Sequence, residues 1–382
     1  MIKIAGILGI FAAAIFGAGG AWAEKPPIKI GAVLSTTGPA GYLGDPEKKA
    51  LELFAERANA DGGVIGRKIQ IVLYDDGSDV GKAAVLAKRL IQTDDVDLII
   101  GGTNTGTTMA IIPTVEAAGI PFISLAGAVA IIDPVKKWVF KTLHTDRMFA
   151  EAAMTDMAKR GLTKIALMTE DSGFGKSGRQ QSLEVAKILG LEVVADETYG
   201  NRDPDMTAQM TNIRGNSAVQ AILVFGVGQG PALVTKNYQQ LGMTPPLYHT
   251  MGVASKDFIR LAGPATEGVR IPVTGLLIAE QLSDSDPQKP VLMSFKKAYE
   301  DSYKLEVTPF AGHSYDALQI ALGAIKRANS TDREKVRDEI ERTKGFAGTG
   351  GVFSMSPSDH MGLSLSAFRM VEIRNGEFRV SP

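Results

Sequence analysis

Short apolar runs alternate with amphipathic stretches along most of the chain. Ile28–Ser35 reads as a strand, and from Glu47 to Ala60 the apolar positions Leu51, Phe54, Ala55 and Ala58 recur at helical spacing. Asp61-Gly62-Gly63 ends that helix, as glycines commonly do. The cycle continues with strands at 69–74, 98–100 and 121–124 and helices at 82–91 and 107–118. After Lys141–Thr145 it begins again, with strands at 164–168, 191–194, 221–225 and 247–249 and helices at 176–189, 206–213 and 232–241. The last part is richer in helix, over 291–303, 313–328 and 332–342, and is expected to complete one lobe or both. Two successive βα series predict an α/β protein of two doubly wound lobes, each a parallel sheet with helices on both faces. No low-complexity linker separates them, so the lobes should be joined by short strand-like crossings.

The N-terminus changes the picture. Met1–Phe16 has one lysine and an apolar run, followed by small residues and Ala21-Trp22-Ala23 before Glu24. That order is the order of a secretory signal peptide, here 1–23. A membrane anchor is the competing reading, but a spanning helix needs about 20 predominantly apolar residues, and glycines interrupt this run. The 382 residues contain no cysteine, which leaves no lipid-anchoring residue, disulfide, thiolate nucleophile or cysteine metal site. Core packing alone must stabilise an exported chain of this kind, and its length suffices for that in about two domains. With 45% hydrophobic residues and a net charge of −1, nothing favours nucleic acid or an anionic membrane as partner.

Most chemical motifs fail on inspection. Gly175-Lys176-Ser177 resembles the end of a phosphate-binding loop, but Glu170 stands where that motif needs glycine. Gly226-Val-Gly-Gln-Gly230 lacks the third glycine of a dinucleotide fingerprint, which falls at Pro231. The histidines His144, His249, His313 and His360 have no metal-ligand spacing, and there is no G-x-S-x-G elbow. Asp75-Asp76 and Asp94-Asp95 read as solvated loop acids. No enzyme chemistry, cofactor or metal is therefore expected. What remains is Gly101–Thr108, which follows a strand and opens a helix, so its amides and hydroxyls suit an anion. Ordinary capping by Thr105 or Thr107 would explain the same residues. Ser124–Ala128 lies at a second strand end, where open α/β sheets bind ligands.

Taken together, Ile30-Gly-Ala-Val-Leu-Ser-Thr-Thr-Gly-Pro39, Gly44-Asp45, Ala60-Asp-Gly-Gly-Val-Ile-Gly66, Tyr74-Asp-Asp76, Ile99-Ile-Gly-Gly102 and Ala118-Gly-Ile-Pro121 resemble the leucine/isoleucine/valine-type periplasmic solute-binding proteins of ABC importers. The resemblance spans the whole chain after the signal. It implies the type I periplasmic-binding-protein fold with three hinge crossings, near His144–Thr145, Val273–Gly275 and Phe353–Met355. Lobe 1 is then 27–144 plus 275–353, and lobe 2 is 145–274 plus 354–382. It also implies a periplasmic monomer that closes on its ligand and delivers it to a membrane permease.

Residue by residue, the resemblance makes Thr105 the hydroxyl that holds a carboxylate, assisted by backbone at Ala126, Gly127 and Ala128. Two family cysteines fall at Ser78 and Asn104. A threonine that helps hold the ammonium group in amino-acid binders is replaced by Ala128, and the acid that pairs with it is replaced by Met251. Cleft tyrosines are replaced by Leu43, Gly228 and Phe174, with Tyr42 nearby as a polar tip. Burying an ammonium without its partner costs about 3–5 kcal/mol. The expected ligand is thus a small carboxylate lacking an α-ammonium, aromatic or a 2-oxo acid. A branched-chain or other amino acid is the alternative, as is a sensing role in place of transport.

Overall fold

The computed structural model describes residues 25–200 and 202–381. The expected signal peptide lies outside them. The chain runs through β1 (Ile28–Leu34), α1 (Gly41–Ala60), β2 (Ile69–Asp75), α2 (Val80–Gln92), β3 (Leu98–Gly101), α3 (Thr105–Ala118), β4 (Phe122–Ser124) and β5 (Val139–Lys141). These five strands form one sheet in the order β2-β1-β3-β4-β5, parallel throughout. β1 and β3 are apolar and buried almost end to end, as strands covered on both faces must be.

The second series is α4 (Asp146–Lys159), β6 (Lys164–Glu170), α5 (Gly173–Leu189), β7 (Glu192–Tyr199), α6 (Thr207–Gly215), β8 (Ala221–Phe225), α7 (Gly230–Gln240), β9 (Leu247–His249), α8 (Lys256–Ala262) and β10 (Arg270–Val273). Then come α9 (Lys289–Tyr303), α10 (Pro309–Ala328), α11 (Arg333–Glu341), the short pair β11 (Phe346–Ala347) and β12 (Val352–Phe353), and finally β13 (Arg369–Arg374) and β14 (Glu377–Val380). The second sheet has the order β14-β13-β10-β9-β8-β6-β7.

This sheet departs from the all-parallel expectation at one edge, where β13 is antiparallel to β10 and β14 to β13. The cause is local. Asn375 and Gly376 both take positive φ, 52° and 72°, which is the two-residue turn that matches strand twist and ties a hairpin.

Each sheet has its own core. Ile30, Ile99 and Phe122 pack with Leu318 and Ile325 of α10, which lies against α1. Leu167, Leu223 and Ile271 centre the other. The C-terminal helices therefore return to the first lobe. Met355, Met361 and Leu363 also pack in the first core, and the His360 ring stacks on Phe140 at 4.2 Å. Phe368 is the next residue to pack against the second core. Between Leu363 and Phe368 the chain thus passes from packing on the first core to packing on the second.

Two polar clusters brace the lobes. In the second, Arg270 donates from Nε and Nη2 to Asp156 (3.0 and 3.1 Å) and from Nη1 to Glu372 (3.0 Å), joining β10 to α4 and β13. In the first, Asp76 is fully buried, accepting from Ser35 Oγ (2.6 Å) and Ser78 N–H (2.8 Å). It is not the solvated loop acid that its sequence context indicates, because it fastens two strand-end loops together.

Candidate functional site

The carboxyl ends of both parallel sheets face one cleft, the place where such sheets bind ligands. After β3 the chain turns into α3 through Asn104, whose side chain accepts from Thr107 N–H at 3.0 Å while Thr107 Oγ1 accepts from Asn104 N–H at 3.4 Å. Asn104 is the cap, so Thr105 is not needed for it. The Thr105 hydroxyl is buried and has no hydrogen-bond partner among the described residues. It sits at the positive end of a 14-residue helix.

After β4, Ser124 Oγ accepts the Ala126 N–H at 3.1 Å, so that amide is already used. The Gly127 and Ala128 N–H groups find no acceptor among the described residues. Only Gly127 of the three reaches the chamber wall, and Ala126 and Ala128 are packed in the core behind it.

The facing wall comes from the second lobe. Ser172 caps α5 by accepting Gly175 N–H at 3.1 Å, which fixes Phe174 over the cleft. Val227 follows β8, and Met251 follows β9 with 1% of its surface exposed. The chamber so formed, with the lobes this close, has a cavity volume of about 50 Å³. Leu43, Thr105, Gly127, Phe174 and Met251 all line it. Tyr42 and Gly228 line its wider outer mouth instead.

The lobes touch across this cleft. A methyl group at Gly127 would lie 2.8 Å from the Phe174 ring, and one at Gly228 would lie 3.4 Å from Tyr42. Gly173 faces Thr105 and Gly106 at an ordinary 3.6 Å. Glycines let the two backbones come this close.

Several wall residues carry no sequence signal. Leu125, Leu143, Phe149 and Phe310 complete the apolar lining from four separate segments. Glu47 also reaches the chamber, from the first turns of α1. It is 2% exposed, and burial, helped by the charge of Asp76 and opposed by the Thr103 hydrogen bond, holds its carboxyl well above the usual range. At the mouth, burial likewise raises Glu170, against the pull of the Val227 N–H that it accepts at 2.9 Å. Tyr42 and Tyr199 lie near Glu170, and both hydroxyls are buried without a partner among the described residues.

Two α/β lobes meeting over a mainly apolar cleft chamber define a protein that captures a small solute. The family model described as periplasmic binding protein matches residues 27–377, and the chain belongs to that family. It is similar to the leucine-, isoleucine-, valine-, threonine- and alanine-binding protein of Pseudomonas aeruginosa, 25% identical over 85% of both chains. Leu/Ile/Val-binding protein homolog 7 of Brucella melitensis is 27% identical over 88% of both. Among solved structures, an extracellular ligand-binding receptor from Rhodopseudomonas palustris HaA2 superposes with a TM-score of 0.86 at 29% identity, over 93% of this chain and 99% of that one. A leucine binding protein from Thermotoga maritima gives 0.82 at 25% identity, over 93% and 98%. No helix among the described residues is long and apolar enough to cross a membrane.

Proposed function

We propose that this protein is the monomeric solute-binding component of an ABC importer, closing around a small carboxylate without an α-ammonium, aromatic or a 2-oxo acid. The observation that carries this reading is the composition of the chamber. Its anion side has the Thr105 hydroxyl and the Gly127 amide, both without a partner among the described residues, while Met251 presents a buried thioether where an ammonium group would need an acid. An ammonium left unpaired there costs about 3–5 kcal/mol, or roughly two to four powers of ten in affinity. Phe149, Phe174 and Phe310 offer ring contacts. The lobes of this reading are 27–144 with 275–363 and 145–274 with 368–381, the third crossing lies at 363–368, and the hinge closes them.

A second reading has a specific observation in its favour. Glu47 and Glu170 are acids within the cleft, and either one, if ionised, could replace the missing ammonium partner of an amino acid. Calorimetric titration with leucine, phenylalanine, benzoate, phenylpyruvate and benzoylformate separates the two. Tight binding of leucine with none of the acids overturns the first reading.

A further inference from the structure

Glu47 is an acid in the binding chamber with no cation to balance it among the described residues. One of its carboxyl oxygens, Oε2, accepts from the Thr103 hydroxyl at 2.6 Å, and that hydroxyl in turn accepts the Ser35 N–H at 3.0 Å. The Thr103 hydrogen is thereby committed to Oε2. The other oxygen, Oε1, has no partner among the described residues, and the side chain lines the chamber. The groups that act on Glu47 are Thr103 and Asp76, and Asp76 repels a second charge. Tyr42, on the same helix, senses Glu47 but supplies no positive charge. On the helix packed against α1, the nearest polar contact is Ser314 Oγ, which binds the Glu47 main-chain oxygen at 2.8 Å and leaves the carboxyl free.

We infer that Glu47 is a specificity-determining residue that meets the ligand as an uncharged carboxylic acid, its Oε1–H donating to an oxygen of the solute. This rests on the carboxylate reading proposed above and deepens it. A ligand anion in the same chamber is a further like charge, which drives a neighbouring carboxyl to keep its proton. With Thr105 and the Gly127 amide assigned to the carboxylate, the Glu47 donor calls for a second acceptor oxygen close by. A 2-oxo acid carries one, and a simple arylacetate does not. A site with a buried polar group poised for one oxygen rejects the analogue that lacks it.

Benzoylformate and phenylacetate are a matched pair that differ by a carbonyl in place of a methylene. Calorimetry should show the wild type preferring benzoylformate by roughly tenfold to a hundredfold, the scale of a hydrogen bond from a buried donor. Glu47→Gln keeps a donor without a charge and should retain most of that preference. Glu47→Leu should abolish it while phenylacetate binding changes little. Infrared difference spectra should show the carbonyl stretch of a protonated carboxyl in the liganded wild type and not in Glu47→Gln, a readout that stands even if Glu47→Leu folds poorly.

Equal preference in wild type and Glu47→Leu overturns the inference alone and leaves the carboxylate reading intact. Equal loss in Glu47→Gln and Glu47→Leu, or no protonated-carboxyl band, also overturns it, because the charge would then be what matters. A wild type that binds leucine and neither acid overturns both. In that case, loss of leucine binding in Glu47→Gln identifies Glu47 as an ionised counter-charge.

Discussion

Gly127→Ala tests whether the seam between the lobes controls capture. The added methyl carbon would sit 2.8 and 3.3 Å from two carbons of the Phe174 ring and 3.7 Å from Phe149. Apolar carbons prefer about 3.5–4.0 Å, so the seam must open by roughly 0.7 Å or more at this point. Gly127 is not at positive φ, so alanine fits its backbone without strain. Phe174 and Phe149 both pack with the second core while Gly127 belongs to the first lobe, so the clash falls on the closed arrangement and not on either lobe. Overpacking of this size costs about 1–3 kcal/mol, which corresponds to roughly a 5- to 150-fold weaker affinity.

Titration calorimetry against whichever solute the wild type binds measures that loss. Thermal unfolding of the free protein should be nearly unchanged. Gly173→Ala is the control, because its nearest neighbours lie at 3.6 Å and the same seam accepts a methyl there. Phe174→Leu in the Gly127→Ala background should recover part of the affinity. Wild-type binding by Gly127→Ala would refute the reasoning. So would a loss of free-protein stability as large as the loss in affinity, since the clash would then lie within a lobe.

Three further expectations follow from the same geometry. Thr105→Val removes a buried hydroxyl without a partner, so the free protein should be at least as stable while affinity for the carboxylate falls by about 1–3 kcal/mol in calorimetry. Unchanged affinity would remove Thr105 from the site. Arg270→Ala leaves Asp156 with only the Tyr248 hydroxyl, while Glu372 keeps Arg374, and should lower stability to urea by about 3 kcal/mol, the low end for a buried pair because both carboxylates keep some water. His249, whose Nε2 lies 2.9 Å from Thr235 Oγ1, is fully buried, and burial pushes its pKa down to about 3. It stays neutral in the folded chain while the unfolded chain takes up a proton below about 6.5. Its stabilisation should therefore be complete above pH 6.5 and fall by roughly 1.4 kcal/mol per unit down to about pH 3. Urea denaturation of wild type against His249→Gln should show the gap narrowing with acid, and a constant gap would contradict this.

Much of the fold was legible because parallel strands buried on both faces write themselves as apolar runs. Ala221–Phe225 and Leu247–His249 match the expected bounds residue for residue. The β13–β14 hairpin went unread although Asn375-Gly376 carries its turn signal. Helix α4 was missed because its buried face is largely alanine and methionine, at Ala150, Ala153, Met154 and Met157, which gives weak contrast. The helical pattern was read from Glu47, but α1 starts at Gly41, and that extra stretch carries Tyr42 and Leu43 to the cleft. Within the site, the loops of Thr105 and Gly127 were reachable because strand ends can be located from the pattern, whereas Phe174 and Met251 came only through the family resemblance. Glu47 was not reachable, since what removes it from water is Thr103, far along the chain, and the close packing of α1 on α10.

The order in which the sheets are completed constrains how the protein can be made. β10 lies in the interior of the second sheet only because β13, close to the C-terminus, bonds to its free edge. The first sheet has all its strands once Lys141 is available, yet α10, which covers it, comes far later. A chain emerging from its N-terminus therefore cannot finish either core until nearly all of it has appeared. Until then it carries an open edge at β10 that any passing strand can extend. Truncation of β13 and β14 should trap that state, making the last dozen residues a condition for solubility as much as a part of the sheet.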